Sequence, residues 1–333
     1  EANQMSDTNN SAVMANAMGE KGKGGLLTKV NFRSILPLIG FALILLFFAV
    51  ATQGKIVQMK NLRLILNSTY VLMISAIGVF MIMSMGSLDF SQGSMIGVCC
   101  IVVCTLSHVS PVLSVVGGIL TGAVIGAVNA YFHVRRQIAS FIVTICMMFL
   151  LRGIVAFLTT NAPAQGAGYL QGSLNNPTLL LTITVVCLAV FYVVFNFTPL
   201  GSNLKAIGAS QTAARFAGIK VQKTKTLVYI AAGAITGFAA FILAIRNGSV
   251  TATGGNMMET QIMLALVLGG LPISGGAKVR FSNIVVGVLT YCILDRGLSM
   301  MGFEAAPKQL IMGVVFLVFL ALFSDRDSNQ VIK

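Results

Sequence analysis

Ten stretches of consecutive apolar residues divide the chain from Ser34 onward: Ser34–Ala51, Leu62–Met85, Ser91–Ser107, Val112–Phe132, Ile138–Thr159, Thr178–Asn196, Thr226–Ile245, Thr260–Leu271, Phe281–Leu294 and Lys308–Phe323. A hydrocarbon core takes about 20 apolar residues per helical crossing. The strands of a membrane barrel alternate apolar and polar positions, whereas Ile35–Ala51 and Gln309–Phe323 are apolar without alternation. A helix also pairs its own backbone groups, which lipid cannot do for it. The pattern therefore predicts an all-α polytopic membrane protein with about ten transmembrane helices.

Polar segments frame this membrane domain, which is read as residues 34–325. Residues 1–33, rich in Gly, Asn, Lys and Ser, read as a flexible cytoplasmic tail, and 326–333 as a second one. A polar stretch ahead of the first apolar run predicts no cleavable leader, and Met5 is a plausible start. Gly19–Gly25 lacks the Gly-Lys-Ser/Thr ending of a phosphate-binding loop, and no strand precedes it. Between the sixth and seventh stretches, residues 198–225 are too polar to span and too patterned for a linker. Their apolar residues recur at helical spacing beside basic ones, which predicts a short surface helix over Ser210–Ala217 closed by Gly218.

Composition and charge sharpen the picture. Hydrophobic residues make up 56% of the 333 and charged residues 9%, against about 25% charged in soluble domains, so most of this surface must face lipid. The net charge is +13. With the N-terminus inside and alternating spans, fifteen of the 22 Lys and Arg fall on inner segments and six on outer ones, with Arg152 inside a span. The positive-inside rule favours that orientation, with both termini cytoplasmic, and it accounts for the basicity without any nucleic-acid partner. Six cysteines lie within apolar runs without a CxxC pair and read as small hydrophobes.

Four segments carry a resemblance. Gly201-x-Asn203-x-x-Ala206-Ile207-Gly208, continued by Ala213-Ala214-x-x-Ala217-Gly218-Ile219, resembles the cytoplasmic loop of the permeases of bacterial ribose, galactose and xylose ABC importers. Gly86-Ser-Leu-Asp89-Phe-Ser91-Gln-Gly93-Ser94, Phe141-Ile-Val-Thr144 with Leu151-Arg152-Gly153, and Gly269-Gly-Leu-Pro-Ile-Ser274-Gly-Gly276 resemble further motifs of that family, in the same order. Departures are Pro272 and the Ile138-Ala139 pair. Autoinducer-2 permeases are included in that family, and branched-chain amino-acid permeases are more distant. The resemblance implies a type II-like permease that works with a second permease copy or paralogue. It also implies a cytoplasmic ATPase holding ATP and Mg, and an external substrate-binding protein. This chain itself would carry no cofactor and no catalytic residue. Asn203, Ala206, Gly208, Ala213, Ala214, Arg215, Gly218 and Ile219 would then form the ATPase-coupling surface within the 198–225 segment.

Candidate chemistry is sparse. Only Asp89, Glu259, Asp295 and Glu304 are acidic near the spans, and charge inside lipid needs a reason. Asp89 reads either as a hinge or pathway residue at a helix break or as an N-cap of the third span. Glu259 reads as an outer charge favoured by a helix N-terminus; Arg152, also a path or hinge candidate, reads either as a buried cation that needs a carboxylate, a carbonyl or water or as a side chain that reaches the outer interface. Asn67, Ser91, Asn129, Thr144 and Ser274 complete the candidates for a translocation path or hinge, while neutral polar groups inside spans also serve interhelical bonding. Gly86–Gly93 echoes Gly269–Gly276, as in transporters built from repeats. His108 and His133 have no partners at metal-ligand spacing, so no metal site is expected. Without tryptophan there is no indole for a sugar ring to stack on, which fits delivery of the solute by a binding protein. A self-sufficient secondary transporter driven by an ion gradient is the alternative, with Asp89 as its carboxylate.

Overall fold

A computed structural model describes residues 32–323. The expected tails, 1–33 and 326–333, and the Gly19–Gly25 stretch lie outside the described residues apart from Phe32 and Arg33. Each of the ten apolar stretches lies on a helix: α1 (Phe32–Ala51), α2 (Met59–Ser84), α3 (Gln92–Ser107), α4 (Pro111–Ala130), α5 (Ser140–Thr159), α7 (Pro177–Phe197), α10 (Val221–Asn247), α11 (Met258–Leu268), α12 (Ser282–Met300) and α13 (Ala305–Phe323). Three short helices connect them: α6 (Gly168–Gln171), α8 (Pro199–Ala209) and α9 (Gln211–Phe216). Six helices, α2, α4, α5, α7, α10 and α12, are long and apolar enough to cross a membrane, and α1, α3, α11 and α13 supply shorter apolar helices. The all-α expectation is met apart from one two-residue pairing, β1 (Ala164–Gln165) with antiparallel β2 (Ser249–Val250).

Helix ends follow local chemistry. Pro111, Pro177 and Pro199 occupy the first turns of α4, α7 and α8, where their fixed φ costs nothing and no amide is needed. Asn176 and Thr198 cap the latter two by accepting from Thr178 N and Leu200 N. α11 stops at Leu268 rather than Leu271, because Gly270 takes a left-handed φ of 81°. α12 runs on past Leu294 to Met300. Its late polar residues stay helical because Lys308 Nζ donates to Asp295 Oδ1 at 2.9 Å and Arg296 donates to Asn61.

Periodicity does not separate inner from outer helices in so apolar a chain; packing does. The most apolar windows of α2, α10 and α12 are 83%, 67% and 61% buried, whereas α4, α5 and α7 reach only 28%, 22% and 22%. The first set forms the centre and the second presents broad apolar faces. Four of the cysteines are buried as expected; Cys187 is half-buried and Cys146 exposed on the outer face of α5.

The tightest seam joins α4 to α10. Gly118, Gly122 and Gly126 on α4 meet the backbone of Gly237, Gly233 and Tyr229 on α10; a Cβ at Gly122 would lie 2.1 Å from the Gly233 oxygen, and the reverse distance is the same. Without side chains between them the helices touch backbone to backbone, which gives dispersion contact that lipid would otherwise supply. On α5, Gly153 has nothing within 4 Å of such a Cβ. Gly122→Ala is therefore expected to lower thermal stability by about 1–3 kcal/mol through overpacking against backbone. Gly153→Ala should be neutral or stabilising by up to about 1 kcal/mol, as helix propensity alone dictates. Thermal unfolding of the two single variants checks the contrast.

Candidate functional site

The polypeptide leaves helical form between α2 and α3, at Met85–Ser91, inside an otherwise buried region. Gly86 turns the chain with φ 71°. The backbone groups freed by this break are taken up by side chains of α5: Ser140 Oγ accepts from Leu88 N at 3.3 Å and Thr144 Oγ1 accepts from Phe90 N at 3.1 Å. Asp89, 1% exposed, accepts from Ser91 N (2.8 Å) and Ser91 Oγ (2.6 Å) at one oxygen and from Gln92 Nε2 (2.7 Å) at the other. Asn129 of α4 donates to Ser91 Oγ at 2.9 Å, and Thr236 of α10 donates to Gln92 Oε1. The break is thus pinned to α4, α5 and α10 at once.

Of the seven path or hinge candidates, four share this network: Asp89, Ser91, Asn129 and Thr144. Asp89 is not the N-cap residue of α3, a position Ser91 holds. It binds the Ser91 amide from two residues upstream, and its charge faces the positive end of the helix. Gln92 and Thr236 were not singled out from sequence. Gln92 follows Ser91 directly and extends a polar run, a legible signal; Thr236 sits alone among alanines and glycines and gave none. Asn67 is half-buried and makes no side-chain hydrogen bond among the described residues. Ser274 is exposed in the loop between α11 and α12.

That loop nevertheless reaches the same place. Gly276 N donates to Ser84 O at 3.2 Å, and a Cβ at Gly275 would lie 2.5 Å from Met83 O and 2.6 Å from Gly86 N. The two echoing segments, Gly86–Gly93 and Gly269–Gly276, therefore lie against each other. Gly208 of α8 completes the junction, since a Cβ there would lie 2.2 Å from Ser84 O and 2.5 Å from Gly276 N. Three backbones converge where only glycine fits.

The 198–225 segment holds two helices where one was expected. α9 begins one residue inside the expected range, with Ser210 Oγ accepting from Ala213 N. Gly218 (φ 82°) closes it: Gly218 N donates to Arg215 O and Ile219 N to Ala214 O, the paired bonds of a Schellman ending. Ala213, Arg215 and Gly218 are exposed, Asn203, Ala206, Gly208 and Ile219 half-buried, and Ala214 buried. Ala214 anchors α9 while its neighbours face outward; Phe216 is 89% exposed.

The Arg152 side chain is one third exposed. It lies about 12 Å beyond Thr144 along α5 and forms an ion pair with Glu259, whose side chain is 4% exposed. Glu259 is in the first turn of α11 as expected, but that turn lies inside the bundle. The Gly254-Gly255 turn leads in against α3, where a Cβ at Gly93 or Gly97 would lie 2.6 Å from the Gly255 or Gly254 oxygen. A carboxylate this buried needs its partner. A separate cavity of about 210 Å³ near the far end of α10 and α12 is lined by Ser68, Arg246, Gln261, Tyr291 and Asp295 among others. Among the described residues no cluster of His, Cys, Asp and Glu could hold a metal ion.

Two outcomes follow for these charges. Arg152→Met alone should cost about 3–5 kcal/mol by stranding the buried Glu259, Glu259→Gln should cost less because Arg152 is one third exposed, and the double variant Arg152→Met/Glu259→Met should lose less than the sum; a double-mutant cycle in thermal unfolding measures this. Asp89→Asn replaces one accepting oxygen by a donor facing Gln92 or Ser91 and should cost about 1–3 kcal/mol, seen as a lowered unfolding midpoint.

Residues 61–320 match the family model described as branched-chain amino acid transport system / permease component. The ribose import permease protein RbsC of Escherichia coli (strain K12) is 30% identical over 302 residues, covering 86% of this chain and 92% of that protein. The L-arabinose ABC transporter permease protein AraH of Azospirillum brasilense is 29% identical over 323 residues, covering 93% and 92%. The xylose transport system permease protein XylH of Escherichia coli (strain K12) is 25% identical over 396 aligned positions, covering 98% and 100%. No solved structure matches. With a helical bundle, a pinned helix break and a match over most of its length, the chain belongs to this family of transport-system permease components.

Proposed function

We propose that this chain is the membrane-spanning permease subunit of an ATP-binding cassette importer and forms the path for a monosaccharide. The ribose, arabinose and xylose permeases that align over most of its length support the substrate class. The observation that carries the mechanism is the junction at Gly208, where the backbone of α8 lies directly against both the α2 end and the α11–α12 loop. An ATPase subunit holding the exposed face of α9, with Ala213, Arg215 and Gly218, would move α8. Rigid backbone contact would pass that movement to both helix breaks. ATP and Mg would belong to the partner.

In this reading the six long and four shorter apolar helices give ten crossings of a bacterial inner membrane, with both termini and the α8–α9 segment cytoplasmic. A second permease copy or paralogue would stand beside the poorly buried helices, and an external binding protein would deliver the sugar. Ser91, Asn129 and Thr144 use their groups on one another and on the break, so their role is positioning. Groups able to exchange hydrogen bonds with sugar hydroxyls gather around the cavity of Ser68, Gln261 and Tyr291. An ion-coupled secondary transporter would need a carboxylate free to cycle an ion. Asp89 has both oxygens occupied and Glu259 is paired with Arg152, which disfavours that alternative.

Reconstitution with its ATPase and binding protein tests the proposal. Uptake of ribose, arabinose or xylose should require ATP and be indifferent to an imposed ion gradient; gradient-driven uptake by the chain alone would overturn it. A nucleoside or autoinducer-2 as competitor distinguishes those substrates within the same role. Ala214→Pro removes the Ala214 N to Ser210 O bond of 3.0 Å and should break α9. The variant should still insert into membranes but lose most substrate-stimulated ATP hydrolysis, measured as phosphate release.

A further inference from the structure

A second polar cavity, of about 150 Å³, lies beside α9 and has no role in the reading above. Its polar lining is His133, Gln137, Gln211, Arg215, Gln222 and Lys225. Lys225 is 7% exposed, and its ammonium has no hydrogen-bond or ion-pair partner among the described residues. A cation on so buried a side chain, opening only to this cavity and with no counter-charge beside it, is unfavourable. His133 Nδ1 faces the Ile138 oxygen at 2.8 Å; a carbonyl only accepts, so Nδ1 carries the proton. Its Nε2 is buried and unpartnered. None of the four carboxylates among the described residues, Asp89, Glu259, Asp295 and Glu304, lines the cavity.

The helix adds to this imbalance. α10 opens with Lys223 and Lys225 in its first turns, directly after Lys220, and has no acidic residue in the first turn. Cations at a helix N-terminus oppose its dipole, whereas an anion there is favoured. The depth is marked by Tyr131 and Phe132, 46% and 41% exposed at the end of α4, as aromatic side chains are where a bundle meets the headgroup layer. Arg136 lies over the Tyr131 ring, 5.5 Å from its centre.

We propose that this cavity is a binding site for a phosphate group, supplied at that depth by the headgroup of an anionic lipid. Lys225 from α10 and Arg215 from α9 would converge on one tetrahedral anion whose several oxygens accept from both, with the His133 ring forming the wall on the α4 side. The site would tie the outward-facing helix α9 to the bundle. This rests on the chain lying in a membrane and not on the identity of the transported solute.

The test uses the full chain in nonionic detergent, with phosphatidylglycerol, phosphatidylcholine or sodium phosphate added. Phosphatidylglycerol should raise the unfolding midpoint, and phosphatidylcholine should not. Lys225→Met should lose most of that shift and retain about tenfold less phosphatidylglycerol by native mass spectrometry, as loss of one charge-assisted bond predicts. The same Lys225-dependent shift from sodium phosphate alone would support the site and assign it to a free anion. Equal responses of wild type and Lys225→Met overturn the proposal, as does an equal shift from sodium chloride at matched ionic strength. A Lys225-dependent shift seen only with the ATPase bound also overturns it, since the occupant is then a carboxylate of that partner. Should Lys225→Met not fold, Arg215→Gln, an exposed position, carries the same comparison.

Discussion

Within lipid a freed amide or carbonyl has no water to turn to, so every interruption of a helix must be repaired by the protein itself. The interruption at Met85–Ser91 is the point on which the rest of this structure depends. Side chains from α5 take up the Leu88 and Phe90 amides, Asp89 takes up that of Ser91, and Asn129 and Thr236 fasten the result to two further helices. A buried polar network of this kind is rigid when complete and costly when any member is missing. It holds the broken ends of α2 and α3 where other segments can reach them.

Glycine performs two different tasks around that point. Along α4 and α10 it removes side chains from a long antiparallel seam and brings the two helices into backbone contact. At Gly208, Gly86 and Gly275 it lets three separate segments meet through backbone at a single spot. Backbone contacts have no rotamers through which displacement can be absorbed, which is why the proposed coupling runs through this junction. A side chain at any of the three positions would separate the elements and interpose a compliant spring.

The charges divide by depth. Arg152, one third exposed, pairs with the buried Glu259 beside the point where the α10–α11 turn packs on α3. At the basic end no described carboxylate answers Arg215, Lys220, Lys223 and Lys225, the surplus on which the proposed anion site rests. Among the described residues the excess of positive charge thus resolves into two closed pairs, Arg152 with Glu259 and Lys308 with Asp295, and one open cluster.

Local order was legible in the residues: apolar runs long enough for lipid, a short helix over Ser210–Ala217 closed by Gly218, and Asp89 at a helix break just before the third span. These signals act over a few positions, where bonding is dictated by neighbours in the chain. What faces what was not legible. In helices that are apolar all round, burial has no periodic signature, so only packing distinguishes the enclosed α2 from the open α5. The partners Arg152 and Glu259 stand 107 positions apart, and Gln92 and Thr236 stand 144 apart; nothing in either local sequence names the other. The amino-acid order by itself determined a multi-pass helical membrane protein with a patterned polar segment between its sixth and seventh apolar stretches. Tertiary structure alone decided which polar groups were joined and at what depth, because in a low-dielectric interior a polar residue's meaning is set by the partner that folding brings to it.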